Sequence, residues 1–339
     1  MRLLYLMQAS LETCQDHIVE HLRDAGHHVD VEIVVPEHPQ FNIPAYTGKR
    51  RTLGLTEKVF TDQCSAAGYD AIISCLHNNE PAVRQFVETV KPRMGYIDVE
   101  HDLLGPPERV VRPRSLGVVA YHKKQHKWLL EQGYRSIMAR WYKLDVDYDP
   151  ADVEAIQWFQ DTQPSADAVF IGSCHQNVAG MIRKRVPFEY GHLFRKVWYK
   201  RFLSTDTVLK EGTHELPPIF DTPRGSFYCA GIAGYHFTAG SSSYLDALLF
   251  GSIPILYGVK GLAEKQVSDV LSMVSYKPFF PCGYGLAVTT TNLDHKINLL
   301  RSSPQLFFAT FERLRSEWFV PDLAELPSTG EAICRLIAE

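Results

Sequence analysis

Three groups of residues in this chain have the types and spacing to do chemistry. The first is Gly240-Ser241-Ser242-Ser243, followed by Tyr244, Leu245 and Asp246. A glycine/serine turn that opens a helix presents free N–H groups and the positive end of the helix dipole to an anion, typically a phosphate. Ser242 and Asp246 are four residues apart and share one helix face. A carboxylate one turn behind the anion can accept hydrogen bonds from two sugar hydroxyls, so a diphosphate carrying a ribose would satisfy both. The second group is Gly172-Ser173, at the end of the apolar run 168–172, with Arg183 in a helix expected from about Val178. Gly172 lets backbone approach a ligand, Ser173 can donate to a phosphate oxygen, and Arg183 can balance diphosphate charge. His236, in the glycine-rich stretch from Gly231 to Gly240, is read as a loop residue that binds a phosphate or stacks near a base. The third group lies in Gly95-Tyr-Ile-Asp98-Val-Glu100-His101-Asp102, where a strand releases three carboxylates and a histidine within five residues. Transfer to a hydroxyl needs a general base within hydrogen-bond reach, and a carboxylate or histidine supplies it. The alternative is a solvated loop with a capping aspartate.

The elements that must position these groups follow from periodicity. Apolar runs predict strands at Arg2–Met7, Val29–Val35, Tyr69–Leu76, Met94–Asp98 and Leu116–Tyr121. Helical spacing predicts helices at Glu12–Ala25, stopped by Gly26, at Pro81–Val90, and at Gln125–Gln132, closed by Gly133. In the second half, strands are expected from Ala168 to Gly172, Ser226 to Ala230 and Ile253 to Tyr257, with helices over Ser242–Phe250, Leu293–Arg301 and Pro304–Trp318. Alternation of strand and helix predicts doubly wound parallel sheets. No GxGxxG follows the first strand, which argues against a dinucleotide site there. Residues 148–164, acidic and bracketed by prolines, read as a domain junction.

Composition narrows the classes. A chain of 339 residues suffices for two domains, and no apolar run approaches the twenty residues of a membrane span. The apolar start, Met1–Met7, is too short for a signal peptide. Seven cysteines, an odd number with no CxxC pair, suggest reduced thiols in a cytoplasm. The net charge of −4 gives no global pull toward nucleic acid. Local cations at Lys49-Arg50-Arg51, Arg109–Arg114 and Arg183–Arg201 would still attract a polyanion if they lined one groove. Within the last stretch, Phe194 and Trp198 are read as the buried stripe of an amphipathic helix. His122 and His126 have the spacing of a metal pair, but Lys123, Lys124 and Lys127 beside them favour a basic helix face.

Leu245-Asp246-Ala247-Leu248 followed by Gly251-Ser252-Ile253-Pro254-Ile255 resembles the donor signature of exostosin-like and related glycosyltransferases of the GT-B class. The specific match spans about twenty residues. The resemblance implies an α/β fold of two Rossmann-like domains facing across a cleft. It implies an N-terminal acceptor domain over 1–148, a linker over 149–165 and a C-terminal nucleotide-sugar donor domain over 166–320. A final segment, 321–339, would cross back to the first domain. The acidic residue of the signature binds the donor ribose in those families, a role that falls here on Asp246, one methylene shorter than the commoner glutamate. The loop after the first strand of the donor domain contacts the diphosphate in similar enzymes, which points to Gly172 and Ser173. Similarity in layout to phage DNA β-glucosyltransferases favours Asp102 as the base, with Asp98 and His101 behind it.

The function implied is transfer of a sugar from a nucleoside-diphosphate sugar, a UDP-sugar being the expected donor, to a hydroxyl. The acceptor would be a surface-glycan precursor or a hydroxymethylated pyrimidine in phage DNA. No cofactor is required, and a divalent metal is compatible but not implied. The expected location is the cytoplasm, that of the host if the chain is phage-encoded. Two other readings stand beside this one: a sugar-nucleotide epimerase or polyol-phosphate transferase on the same fold, and a non-catalytic nucleotide-binding protein.

Overall fold

A computed structural model describes residues 1–8, 12–34, 68–74, 95–99, 115–145, 154, 168–171, 193–194, 196–199, 213–215, 233–238, 243–256, 288–289 and 293–338. In chain order its elements begin with β1 (Arg2–Gln8), α1 (Glu12–Asp24), β2 (His28–Val34), β3 (Ala71–Ser74), β4 (Gly95–Val99), β5 (Ser115–Ala120), α2 (Lys123–Glu131) and β6 (Ser136–Met138). A 3-10 turn at Tyr142–Leu144 precedes β7 (Ala168–Ile171), β8 (Lys196–Tyr199), β9 (Thr213–Glu215), β10 (Tyr235–Thr238), α3 (Ser243–Leu249), β11 (Ile253–Leu256) and β12 (Val288–Thr289). The chain closes with α4 (Leu293–Arg301), α5 (Pro304–Trp318) and α6 (Thr329–Ala338). It divides into two units, Met1–Val146 with Phe319–Glu339, and Asp147–Trp318. No helix among the described residues is long and apolar enough to cross a membrane.

In the first unit six strands form one sheet in the order β2-β1-β3-β4-β5-β6, every pair parallel. Parallel sheets are covered on both faces, so their strands bury consecutive residues. Leu3, Leu4, Tyr5 and Leu6 of β1 are all buried, as is the whole of β3. α1 turns Ile18, Val19 and Leu22 inward. Tyr121, directly after β5, packs edge-on to two residues beyond β6, Trp141 at 5.0 Å and Tyr142 at 5.7 Å. The buried Lys143 holds its ammonium 5.3 Å above the Trp141 ring, a cation–π contact.

The last helix belongs to this unit and packs on α1 and β5. Its start is a capping box: Ser328 Oγ accepts from the Glu331 N–H at 3.2 Å, and the Glu331 carboxylate accepts from the Ser328 N–H at 2.7 Å. Those bonds from Ser328 hold the Glu331 carboxyl below its ordinary range. Its end is held by Arg135, whose guanidinium donates to the carbonyls of Leu336 at 3.2 Å and Arg335 at 3.4 Å. Tyr121 and Thr329 share a buried hydroxyl–hydroxyl bond of 3.1 Å. Ala332, Ile333 and Leu336 are buried beneath the helix.

In the second unit the strands run β12-β11-β10-β7-β8-β9, again all parallel. Numbered within the unit this is 6-5-4-1-2-3, the doubly wound order, with the chain reversing direction across the sheet between β7 and β10. α5 packs on α3 and β11, burying Phe307, Leu314 and Trp318. Tyr235 at the start of β10 meets two rings, Phe194 tilted at 5.4 Å and Phe307 edge-on at 5.5 Å.

Two sequence expectations are corrected here. Lys196–Tyr199 is the strand β8, so Phe194 and Trp198 do not form a helical stripe. The i, i+4 spacing of two aromatics suits either element, and Val197, Trp198 and Tyr199 are strong strand formers. The glycine-rich stretch from Gly231 to Gly240 contains the strand β10, not only a loop. Tyr-His-Phe-Thr is a β-forming run set between glycines, and pairing on both edges outweighs the breakers around it. The helices expected at Pro81–Val90 and from Val178, and the strand at Ser226–Ala230, lie outside the described residues.

Close approach of α6 to α1 gives a test. A Cβ on Gly330 would sit 2.8 Å from His21 Cβ and 2.6 Å from its ring, so the two helices would have to separate. Gly330→Ala is expected to cost about 1–3 kcal/mol by overpacking. Hydrogen exchange should then rise across residues 329–338 while β10 and β11 keep their protection. Unchanged exchange in α6 would show that the contact is dispensable.

Candidate functional site

The sheet of the second unit sets the geometry. Ligands of doubly wound folds bind beyond the carboxyl ends of the strands, where the order reverses. Those ends are Ile171 of β7 and Thr238 of β10, on neighbouring strands with Ile171 in register with Phe237. The residues next in sequence are Gly172-Ser173 after β7 and Ala239-Gly240-Ser241-Ser242 after β10. Two of the sequence-predicted groups, remote in the chain, therefore follow adjacent strand ends. Gly172, Ser173, Arg183, Gly240, Ser241 and Ser242 themselves lie outside the described residues.

Ser243 is the first residue of α3 and Asp246 lies in its first turn. A carboxylate there is favoured by the partial positive charge of the helix start. Asp246 is only 6% exposed, although Ala247 and Leu248 already supply the helix's apolar contact with the sheet. Such a residue is held in place by its surroundings rather than sampling solvent.

The end of α3 is a tightly bonded elbow. Gly251 is in the left-handed region with φ +95°, and the Ser252 N–H bonds the Ala247 carbonyl at 2.8 Å, the 6→1 bond of a Schellman cap. The Ile253 N–H bonds the Gly234 carbonyl at 2.8 Å, and the fully buried Ser252 hydroxyl donates to the Ala233 carbonyl. Pro254 lacks a donor inside a strand paired on both sides. Among the described residues β12 pairs only with Ile255 and Leu256, so Pro254 precedes that ladder and breaks none of it. The Gly-Ser-Ile-Pro part of the signature thus has a structural task, which is to anchor the helix that carries Asp246. Ser252 was not singled out by sequence, because its hydroxyl partner lies 19 residues upstream and no local pattern shows it.

His236 needs correction. It is an interior residue of β10, between Phe170 of β7 and Pro254 of β11, and only 2% exposed. Burial drives its imidazole down to about 3, so near neutrality it carries no charge to offer a phosphate. In the first unit Asp98 lies near the carboxyl end of β4, in register with Ser74 of β3 and Val118 of β5. His101 and Asp102 lie outside the described residues.

The histidines at 122 and 126 are not a basic face either. His122 is the N-cap of α2, its Nδ1 accepting from the Gln125 N–H at 3.1 Å. Burial, aided by the charge of Lys124, pushes it down to about 3. His126 meets the Ser136 hydroxyl at 3.0 Å and is also lowered by burial. No group of three or more histidine, cysteine or acidic side chains among the described residues is arranged to hold a metal.

No family model matches the sequence, and no curated protein does. Solved structures do. The chain is similar to Arabidopsis thaliana UGT89C1 complexed with quercetin at TM-score 0.55 and 12% identity, covering 99% of this chain and 98% of the other. It is similar to the Streptomyces sp. SF2575 glycosyltransferase SsfS6 complexed with thymidine diphosphate at TM-score 0.53 and 15% identity, covering 100% and 99%. A UDP-N-acetylglucosamine 2-epimerase from Rickettsia bellii matches at TM-score 0.59 and 11% identity, covering 100% and 96%. Likeness over both whole chains shows that this protein has the GT-B fold, built of two Rossmann-like units.

Buried neutral histidines predict a pH dependence. His122 and His236 have folded values near 3, far below the 6.5 of an unfolded histidine. The unfolded chain therefore binds more protons between those limits. Stability is fully present above about pH 6.5 and is lost as pH falls below it. Each histidine should contribute about 1 kcal/mol per pH unit over that window. His122→Asn keeps a cap acceptor without a titrating ring, and should flatten the fall measured by urea unfolding between about pH 6.5 and about pH 5. An equal slope in native and variant would contradict a neutral capping histidine.

Proposed function

We propose that the protein is a glycosyltransferase that takes its sugar from a nucleoside-diphosphate sugar. The observation that carries this reading is the neighbouring of β7 and β10 at the reversal of strand order, with Gly172-Ser173 following one end and the Gly240–Asp246 signature following the other. The fold shared with nucleotide-sugar enzymes supports it. In this reading the C-terminal unit holds the donor. Amides and hydroxyls of Ser173 and Ser241–Ser243, with Arg183, meet the diphosphate, and Asp246 accepts from the ribose hydroxyls. His236 serves as packing within the sheet rather than as a cation for the phosphates.

The N-terminal unit takes the acceptor, a glycan hydroxyl or a hydroxymethylated pyrimidine. Asp102, or Asp98 or His101 beside it, removes the proton of that hydroxyl as its oxygen bonds to the anomeric carbon. The nucleoside diphosphate leaves with the electrons of the broken bond and gains about one negative charge, which fixed amides and an arginine stabilise best in the transition state. The odd cysteine count supports a reducing compartment, and we assign the reaction to the cytoplasm.

The test is thermal shift with UDP, dTDP, GDP and their sugars, on native protein and on Asp246→Ala. One nucleotide family should stabilise the native protein by about 3 kcal/mol at roughly a hundredfold excess over Kd, and the gain should vanish in the variant. An acceptor screen with that donor should then consume it, and Asp102→Asn should lower turnover by about a hundredfold or more. No shift with any nucleotide would overturn the reading.

The likeness to a UDP-N-acetylglucosamine 2-epimerase favours one second reading, epimerisation of the sugar nucleotide itself. It is distinguished by incubating donor without acceptor. An epimerase alters the sugar and leaves the nucleoside diphosphate attached, whereas a transferase leaves the donor intact until a hydroxyl is supplied.

A further inference from the structure

The geometry points to Ser252 as a positioning residue of the donor site, one that sets where α3 presents Asp246. The inference rests on the nucleotide-sugar reading above. Ser252 is fully buried and sits at the only covalent link between the end of α3 and the start of β11. Its N–H and its hydroxyl reach two different parts of the unit. Its N–H bonds Ala247 in the turn of α3 that holds Asp246. Its hydroxyl donates to Ala233, just ahead of β10, and its peptide with Ile253 carries the N–H that bonds Gly234. Asp246 also bonds forward along the helix, its carbonyl accepting from Phe250 at 2.9 Å, next to the elbow.

The chain from carboxylate to sheet is therefore short: Asp246, Ala247, Ser252, Ala233, then β10. β10 is the strand whose carboxyl end leads into Gly240–Ser242. The Ser252 hydroxyl thus ties the helix bearing the ribose carboxylate to the strand that feeds the diphosphate turn. Loss of that tie leaves the Schellman cap intact, since the N–H bond to Ala247 is made by backbone. It removes the side-chain bond from the elbow to Ala233 and leaves the backbone bond from Ile253 to Gly234 as the tie ahead of β10. The helix can then shift by a fraction of an ångström without unfolding, and a site loose on that scale binds poorly.

The experiment compares native protein with Ser252→Ala, which keeps the side-chain volume close, and with Ile297→Val. Ile297 is a fully buried residue of α4 in the same unit, outside the donor machinery. Dissociation constants for UDP and dTDP are measured by calorimetry at a temperature where all three are fully folded, and stabilities by urea unfolding. Ser252→Ala should weaken the nucleotide about tenfold, while Ile297→Val stays within about twofold whatever stability it loses. Native-like affinity in Ser252→Ala would overturn the inference and leave the nucleotide reading standing. Equal weakening in both variants would overturn it too, since general loosening would then be the cause. Absence of nucleotide binding by the native protein would remove the reading and this inference together, an outcome the native titration alone reports.

Discussion

Parallel pairing is the constraint on which the rest of this structure depends. Among the described residues all ten strand pairings are parallel, so each successive strand must be reached by a crossover and cannot be joined by a hairpin. Crossovers bring every carboxyl end to one edge of its sheet. Where the order reverses, the two crossovers leave on opposite faces and open a crevice between them. In the second unit the order reverses between β7 and β10, and the glycine- and serine-rich segments follow those two ends in sequence. Small residues there are what a close backbone approach to a ligand requires.

Much of the first unit was legible because its elements are local. β1, α1, β2, β5 and α2 have continuous apolar runs or clear helical spacing. At Gly26, Gly133 and Gly251 a helix ends with the same 6→1 bond, donated by the N–H of the next residue (His27, Tyr134 and Ser252) to the carbonyls of Leu22, Leu129 and Ala247. The second unit was harder because β8 and β10 are four-residue strands whose identity comes from their neighbours. Nothing within Tyr235–Thr238 outweighs the glycines beside it. Pairing with β7 on one side and β11 on the other does, and that information lies far away in the chain.

The candidate site divides along the same line. Its signature was readable because turn, helix, stop and strand are contiguous from Gly240 to Leu256. What each residue does was less readable. His236 looks like a ligand in sequence, since imidazole is a common one, yet its register puts it in the sheet interior. Ser252 looks like filler between Gly251 and Ile253, yet its hydroxyl reaches Ala233. Both assignments depend on which strand lies beside which, a property of topology and not of composition.

The neutral state of His236 also bears on how such a site could hold a diphosphate. Two phosphates need positive potential, and a buried histidine near pH 7 supplies none. On the proposed reading the potential comes from backbone amides and from Arg183, which keep their character at every physiological pH. Asp246 then has the stricter task. With one methylene fewer than glutamate it has fewer rotamers with which to correct a misplaced helix, so the accuracy of its placement must come from the backbone of α3 itself. The elbow around the fully buried Ser252, which bonds Ala247 and Ala233 and is followed by the Ile253 bond to Gly234, is where the fold supplies that accuracy. A shorter acidic residue and a tightly anchored helix end are in this view two halves of one arrangement.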